Sequence, residues 1–159
     1  MRIRNYSVVR SPCATNIVHH HFNEPRRHEN ECWGRLPALR KGGYSHDVQV
    51  NIGTGIGGTK HYVDTVAEKD GRKFLISLKW QQVSGTAEQK VPFEVISLVQ
   101  AILDAGDEDS KAYLVLGGEG WKLRDFYTGG GLEKHLEYAN RVEIVTLEHF
   151  IARANQGRL

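Results

Sequence analysis

Two β-prone runs, Tyr62-Val63-Asp64-Thr65-Val66-Ala67-Glu68 and Lys73-Phe74-Leu75-Ile76-Ser77-Leu78-Lys79-Trp80, flank the turn Lys69-Asp70-Gly71-Arg72. Asp-Gly between such runs is a strong two-residue hairpin signal. With Asp70-Gly71 as the loop, Lys69 faces Arg72, Asp64 faces Ser77 and Tyr62 faces Lys79. Alternation then predicts Asp64, Ser77 and Lys79 on one face, with Val63, Thr65, Ala67, Phe74, Ile76 and Leu78 on the other. The apolar face fixes the register by burial and leaves the opposite face for chemistry.

Around this hairpin the pattern reads as a mixed α/β fold. Val48, Val50 and Ile52 alternate as a strand, and a glycine-rich bend follows. Lys90 to Ala105 reads as a helix, with Pro92 in its first turn and Phe93, Ile96, Val99, Ile102 and Leu103 as its apolar stripe. Gly106 to Ser110 is an acidic loop and Ala112 to Leu116 a short strand. After Gly129-Gly130-Gly131 come a helix at Leu132 to Ala139, a strand at Val142 to Val145 and a last helix capped by Thr146. The first 44 residues are less patterned: a short strand over Ile3 to Val9, then a helix from Pro25 that ends before Gly42-Gly43. The order implies antiparallel strands first and parallel strands joined by crossovers later.

The 159 residues suit one domain with its own core, a basic segment over 1–44 leading into a core over 45–159. No apolar run approaches the roughly 20 residues needed to cross a bilayer, so no membrane partner is expected. Met1 to Tyr6 lacks a secretory leader, and Cys13 and Cys32 are too few for a disulfide framework; both point to the cytoplasm. Residues 1 to 41 hold eight Lys/Arg against three Asp/Glu, a local charge of +5, while the remainder carries 13 against 16, or −3. A basic segment of this kind neutralises phosphates, and equally serves as a solvated surface.

The hairpin with its Asp64 and Ser77-Leu78-Lys79 resembles the core of the PD-(D/E)XK nuclease superfamily. There an Asp on one strand and a (D/E)-x-K on the next bind divalent metal. Ser77 stands where the acid is usual, and the arrangement is similar to a subset of restriction enzymes that supply this carboxylate from the following helix. Glu94 occupies that place here. The resemblance implies a restriction-endonuclease-like fold, a mixed sheet with an antiparallel hairpin flanked by helices. It implies a Mg²⁺-dependent DNA endonuclease of restriction or homing type, with Mn²⁺ able to substitute. Double-stranded DNA would be the partner and a homodimer or higher homo-oligomer the assembly, since one site cuts one strand. Asp64, Glu94 and the Leu78 carbonyl would hold the metal, and Lys79 would serve the attacking water. The alternative is a non-catalytic nucleic-acid-binding or assembly module whose site has decayed at Ser77.

Other groups have weaker claims. Glu88 competes with Glu94 for the second carboxylate, standing before the predicted helix. Gln81 shares the face of Lys79 and is either a phosphate contact or a solvated strand end. Lys60 and His61 are placed to meet DNA beside the hairpin. Glu29 or Glu31 would be an auxiliary acid on the first helix, or an exposed charge. Gly53 to Gly58 spells G-x-G-x-x-G, but a strand rather than a helix follows, which favours a sharp turn over a dinucleotide site. His28 and Cys32 at i, i+4, with Cys13 and His19, His20 or His21, would suit zinc, but no C-x-x-C pair is present. Gly117-Gly118-Glu119-Gly120-Trp121 follows a strand end and is a candidate loop near DNA.

Overall fold

A computed structural model describes residues 36–106 and 110–159. The strand predicted at Ile3 to Val9, most of the first helix, the cysteine and histidine groups and the acidic loop at 107–109 lie outside the described residues. The end of that first helix, α1, is seen at residues 36–41. It stops before Gly42-Gly43, as the sequence predicts.

Five strands form one sheet in chain order: β1 Ser45–Thr54, β2 Lys60–Lys69, β3 Arg72–Trp80, β4 Lys111–Gly117 and β5 Val142–Thr146. The first three pair antiparallel and the last two join in parallel. The β2–β3 register runs from Lys69↔Arg72 to Thr65↔Ile76, the pairing expected from the Asp70-Gly71 turn, but the expected Asp64–Ser77 and Tyr62–Lys79 pairs lie beyond the end of the ladder, where the strands part. Both turn residues have positive φ, 51° and 76°, as a type I′ loop requires.

The sheet is covered on both faces. Helix α2, Ala87–Ala105, lays Val91, Val95, Leu98 and Ile102 over Leu75, Leu114 and Ile144. Helix α4, Leu147–Asn155, lays Phe150 and Ala154 over Phe74, Ile76, Tyr113 and Val115. Thr146 caps α4 as expected, its Oγ1 accepting from the His149 amide at 3.2 Å. Parallel strands are normally buried on both faces, and β3 is shared with β4. That corrects the expectation of one buried and one open hairpin face, since Leu75 and Ser77, on the Asp64 side, are also buried. Val63 departs as well, packing with Val50 and Ile52 in the α2-side cluster.

Helix α2 differs from the sequence reading in extent, phase and proline position. It begins at Ala87, so Pro92 lies inside it and beyond its first turn. The buried phase is Val91-Val95-Leu98-Ile102, while Phe93, Ile96 and Leu103 are exposed. Its early start has a tertiary cause: Gln81 Oε1 accepts from the Ala87 amide at 3.1 Å, a cap supplied from the end of β3. Pro92 lacks the N–H that would bond the Glu88 carbonyl. Tyr127 Oη donates to that carbonyl instead, at 2.8 Å. Tyr127→Phe should therefore cost about 1 kcal/mol in chemical denaturation. The cost should shrink in a Pro92→Ala background, where the helix supplies its own donor; an equal cost in both backgrounds would reject this pairing.

No α-helix forms at Leu132 to Ala139. The β4–β5 crossover consists of a short helix, α3 (Arg124–Thr128), and two 3₁₀ turns at Gly131–Lys134 and Ala139–Arg141. Leu132 and Ala139 are buried there without helical periodicity, so their apolarity reports packing rather than helix.

Candidate functional site

The β2–β3 ladder ends at Thr65↔Ile76, and β2 continues toward its N-terminal end paired only with β1. Just beyond the split, the Leu78 amide donates to Asp64 Oδ2 at 2.7 Å. A strand residue projects its N–H and C=O toward the same neighbour, so the Leu78 carbonyl faces the gap that Asp64 occupies. Among the described residues, Asp64 Oδ1 has no hydrogen-bond partner.

Glu94 lies two residues after Pro92 and reaches down from α2 onto β3. Ser77 Oγ donates to Glu94 Oε1 at 2.6 Å. Lys79 Nζ stands 3.0 Å from Glu94 Oε2 and donates to Ser77 Oγ at 3.3 Å. Ser77 is 2% exposed, whereas the Lys79 and Glu94 side chains are 27% and 17% exposed. The triangle thus has a buried base and a mouth reached by solvent. The alternation of β3 and the crossover into α2 bring together three of the residues singled out in the sequence, Ser77, Lys79 and Glu94. Asp64 is tied to the same strand through Leu78.

His61 sits at the edge of this group. Burial holds its imidazole below the ordinary pKa, with Glu94 opposing that shift and Lys79 adding to it. A β-bulge in β1 lies opposite it: the register slips between Asn51↔Tyr62 and Gly53↔His61, and Asn51 Oδ1 accepts from the Gly53 amide at 2.9 Å. Bulges re-aim side chains in this way beside functional sites. Lys60 is exposed at the start of β2, and Glu31 lies outside the described residues.

Two expectations are corrected. Glu88 is not ahead of the helix but in its first turn. Its Oε1 accepts from the Lys122 amide, and from the Leu123 amide at 3.1 Å, holding the loop before α3. Gln81 is neither a solvated strand end nor a free contact group. It is 5% exposed and, besides capping α2, donates through Nε2 to the Gly120 carbonyl at 2.7 Å. The same loop closes on the end of β3: Gln81 N donates to Gly117 O at 2.9 Å and Gly120 N to Gln81 O at 2.8 Å. A Cβ on Gly120 would stand 2.5 Å from the Val83 carbonyl carbon. The glycines of this loop therefore serve close packing, and Trp121 is buried, its Nε1 donating to Gly117 O at 2.7 Å.

These clamps were not apparent from sequence alone. The signals that could have revealed them were Pro92 inside an apolar-periodic run, which orphans a carbonyl, and the clustered glycines at 117, 118 and 120.

The donor set suits a hard divalent cation. Asp64, Glu94 and the Leu78 carbonyl offer oxygen only, and Mg²⁺ characteristically takes one or two carboxylates while retaining water. Among the described residues no group of three or more His, Cys, Asp or Glu side chains is placed to hold a metal, so any site here is completed by backbone, water or substrate.

Fold and site together define an α/β protein with an acid at a strand split and a lysine opposite a helix-borne acid. The PD-(D/E)XK nuclease superfamily domain matches residues 8–158. The chain belongs to that superfamily, whose members act on nucleic acid and usually use divalent metals. A search of curated proteins found no match. Among solved structures, an fdxN element excision controlling factor protein from Anabaena variabilis is similar at 20% identity with a TM-score of 0.51, covering 77% of this chain and 94% of that one. A protein of unknown function, AF1548, aligns at 14% identity with a TM-score of 0.46, covering 75% of this chain. This chain spans 59% of the length of AF1548. No helix among the described residues is long and apolar enough to cross a membrane.

Proposed function

We propose that the chain is a Mg²⁺-dependent endonuclease of restriction or homing type, hydrolysing phosphodiester bonds in double-stranded DNA as a homodimer. The observation that carries this reading is the seat of Glu94 on Ser77, 2.6 Å from the hydroxyl, with Lys79 3.0 Å from its other oxygen. The helix thereby returns a carboxylate to the strand position from which the usual acid is missing.

In this mechanism Asp64, Glu94 and the Leu78 carbonyl would hold the cation, which when bound would supply a water of lowered pKa and offset charge on the phosphate. Ser77 orients Glu94 by donating to it. The Lys79 ammonium, held between Glu94 and Ser77, donates toward the attacking water and stabilises the charge gathering on the phosphoryl oxygens. Asp64 is fixed by the Leu78 amide through Oδ2, which leaves Oδ1 available as the proposed ligand. A single site cuts one strand, so a double-strand break uses two copies.

Asp64→Asn tests the metal assignment, because a neutral amide is a poorer ligand for a hard cation. Its side-chain oxygen can still accept from Leu78, so the fold should persist. Titration calorimetry is expected to show Mn²⁺ affinity falling about 10-fold or more, together with turnover. Unchanged Mn²⁺ binding would remove Asp64 from the ligand set.

A further inference from the structure

The β1–β2 hairpin ends in Gly53-Thr54-Gly55-Ile56-Gly57-Gly58-Thr59-Lys60, a glycine-rich tip with one large apolar residue. The last paired residues are Thr54↔Lys60. Gly55 N then donates to Thr59 O at 2.7 Å and Gly58 N to Gly55 O at 2.9 Å, closing a compact tip. Gly53 and Gly58 have φ of 126° and 78°, which explains glycine at both. Gly57 has no such constraint. It is absent from the positive-φ positions. Gly57 is a central residue of the turn that Gly58 N closes on Gly55 O, and it leaves the backbone at the tip uncovered, since even a Cβ there would meet nothing within 4 Å. Beside it Ile56 is 51% exposed at the tip.

The tip projects from the sheet end that carries the site. Lys60 begins β2 four residues before Asp64, roughly 13 Å along the strand, and antiparallel β3 brings Lys79 to the same end. His61, at the hairpin base, lies within electrostatic range of Glu94 and Lys79. From Gly53 to His61 there is no acidic residue, while Lys60 supplies an exposed cation. A duplex with a phosphate at Asp64 and Lys79 would present its neighbouring groove at about the reach of this tip. The major groove, about 12 Å wide, admits a two-stranded ribbon in an undistorted duplex, whereas strands that use the minor groove, about 6 Å wide, kink or open it.

We infer that residues 53–60 form a groove-reading ribbon that enters the major groove beside the cleaved phosphate, Gly57 allowing close backbone approach and Ile56 contacting base edges. This rests on the nuclease reading above and names what that site grips. An exposed apolar residue against a thymine methyl is a known mode of base contact. Lys60 at the root meets the backbone and adds affinity without sequence preference.

The test uses the full chain carrying Lys79→Ala, to prevent cutting, and a fluorescein-labelled random-sequence duplex read by anisotropy. Gly57→Val and Ile56→Ser should each weaken binding about 10-fold, with melting temperature and Mn²⁺ calorimetry unchanged because neither side chain packs on the fold. In methylation interference with dimethyl sulfate, N7-methylguanine should be depleted from duplex bound by the parent and not from duplex bound by either variant. Unchanged affinity in both variants, or interference confined to adenine N3 in the minor groove, overturns the ribbon. If the duplex fails to bind while the unmutated protein cuts single strands with Mn²⁺, the ribbon falls and the hydrolytic reading stands. If N7 interference is lost in the variants but no cation supports cleavage by the unmutated protein, the ribbon stands and the hydrolytic reading falls.

Discussion

Lys79→Ala is expected to reduce Mg²⁺-dependent cleavage by about 10²–10³-fold or more, the range seen when one donor to a developing anion is removed. Lys79 Nζ is held by Glu94 at 3.0 Å and by Ser77 at 3.3 Å, so it is positioned before substrate arrives. The fold should tolerate the change. The side chain is 27% exposed, Ser77 still donates to Glu94, and a partly solvated ion pair contributes little to stability. Duplex binding should fall only modestly, because one of several cationic contacts is lost. Single-turnover cleavage, anisotropy and thermal melting separate these effects. A variant that binds normally and cuts at near-parental rate would take Lys79 out of the mechanism. One that melts well below the parent would recast it as a structural group.

The hairpin was legible because two constraints agreed: the Asp70-Gly71 turn set a register, and alternation of Phe74 and Ile76 against Leu75 and Ser77 made any one-residue slip costly. From that register came the shared face of Asp64, Ser77 and Lys79. The placement of Glu94 on the site came from the resemblance to restriction enzymes that carry this acid on the following helix at a similar separation, although the phase of α2 was misread. The misreading has a physical source. Phe93, Ile96 and Leu103 are as apolar as the true core residues Val91, Val95 and Leu98, and composition alone does not say which stripe faces the sheet. The decisive groups are tertiary: Gln81 starts the helix from β3, and Tyr127 satisfies the carbonyl that Pro92 orphans. Tyr127 is 39 residues from Glu88 and outside any local window, and Gln81, though only six residues from Ala87, acts through a side chain whose capping role has no sequence signature. The same limit hid the β4–β5 crossover, where Leu132 and Ala139 are buried by 3₁₀ turns whose short hydrogen-bonding pattern leaves no stripe.

The most discriminating experiment exchanges the origin of one carboxylate. Glu94→Ala removes a proposed metal ligand and the partner of both Ser77 and Lys79, and is expected to cost about 10²-fold or more in cleavage, with Mn²⁺ affinity falling in parallel. Ser77→Glu combined with Glu94→Ala should recover Mg²⁺-dependent activity. The Ser77 hydroxyl already lies 2.6 Å from a Glu94 oxygen, so the volume vacated by the Glu94 side chain adjoins the point from which a glutamate at 77 would extend. Ser77→Glu alone should destabilise the protein, because it adds a second carboxylate at a position 2% exposed with Glu94 still present. The pair is therefore strongly coupled, each change harmful by itself and the combination milder than the sum. Recovery will be partial, since catalysis responds to ligand displacements well under an ångström. An active Glu94→Ala variant would sink the assignment. A folded double variant that regains Mn²⁺ affinity without turnover would show that the strand-borne carboxylate restores the ligand but not the orientation that Ser77 gives to Glu94.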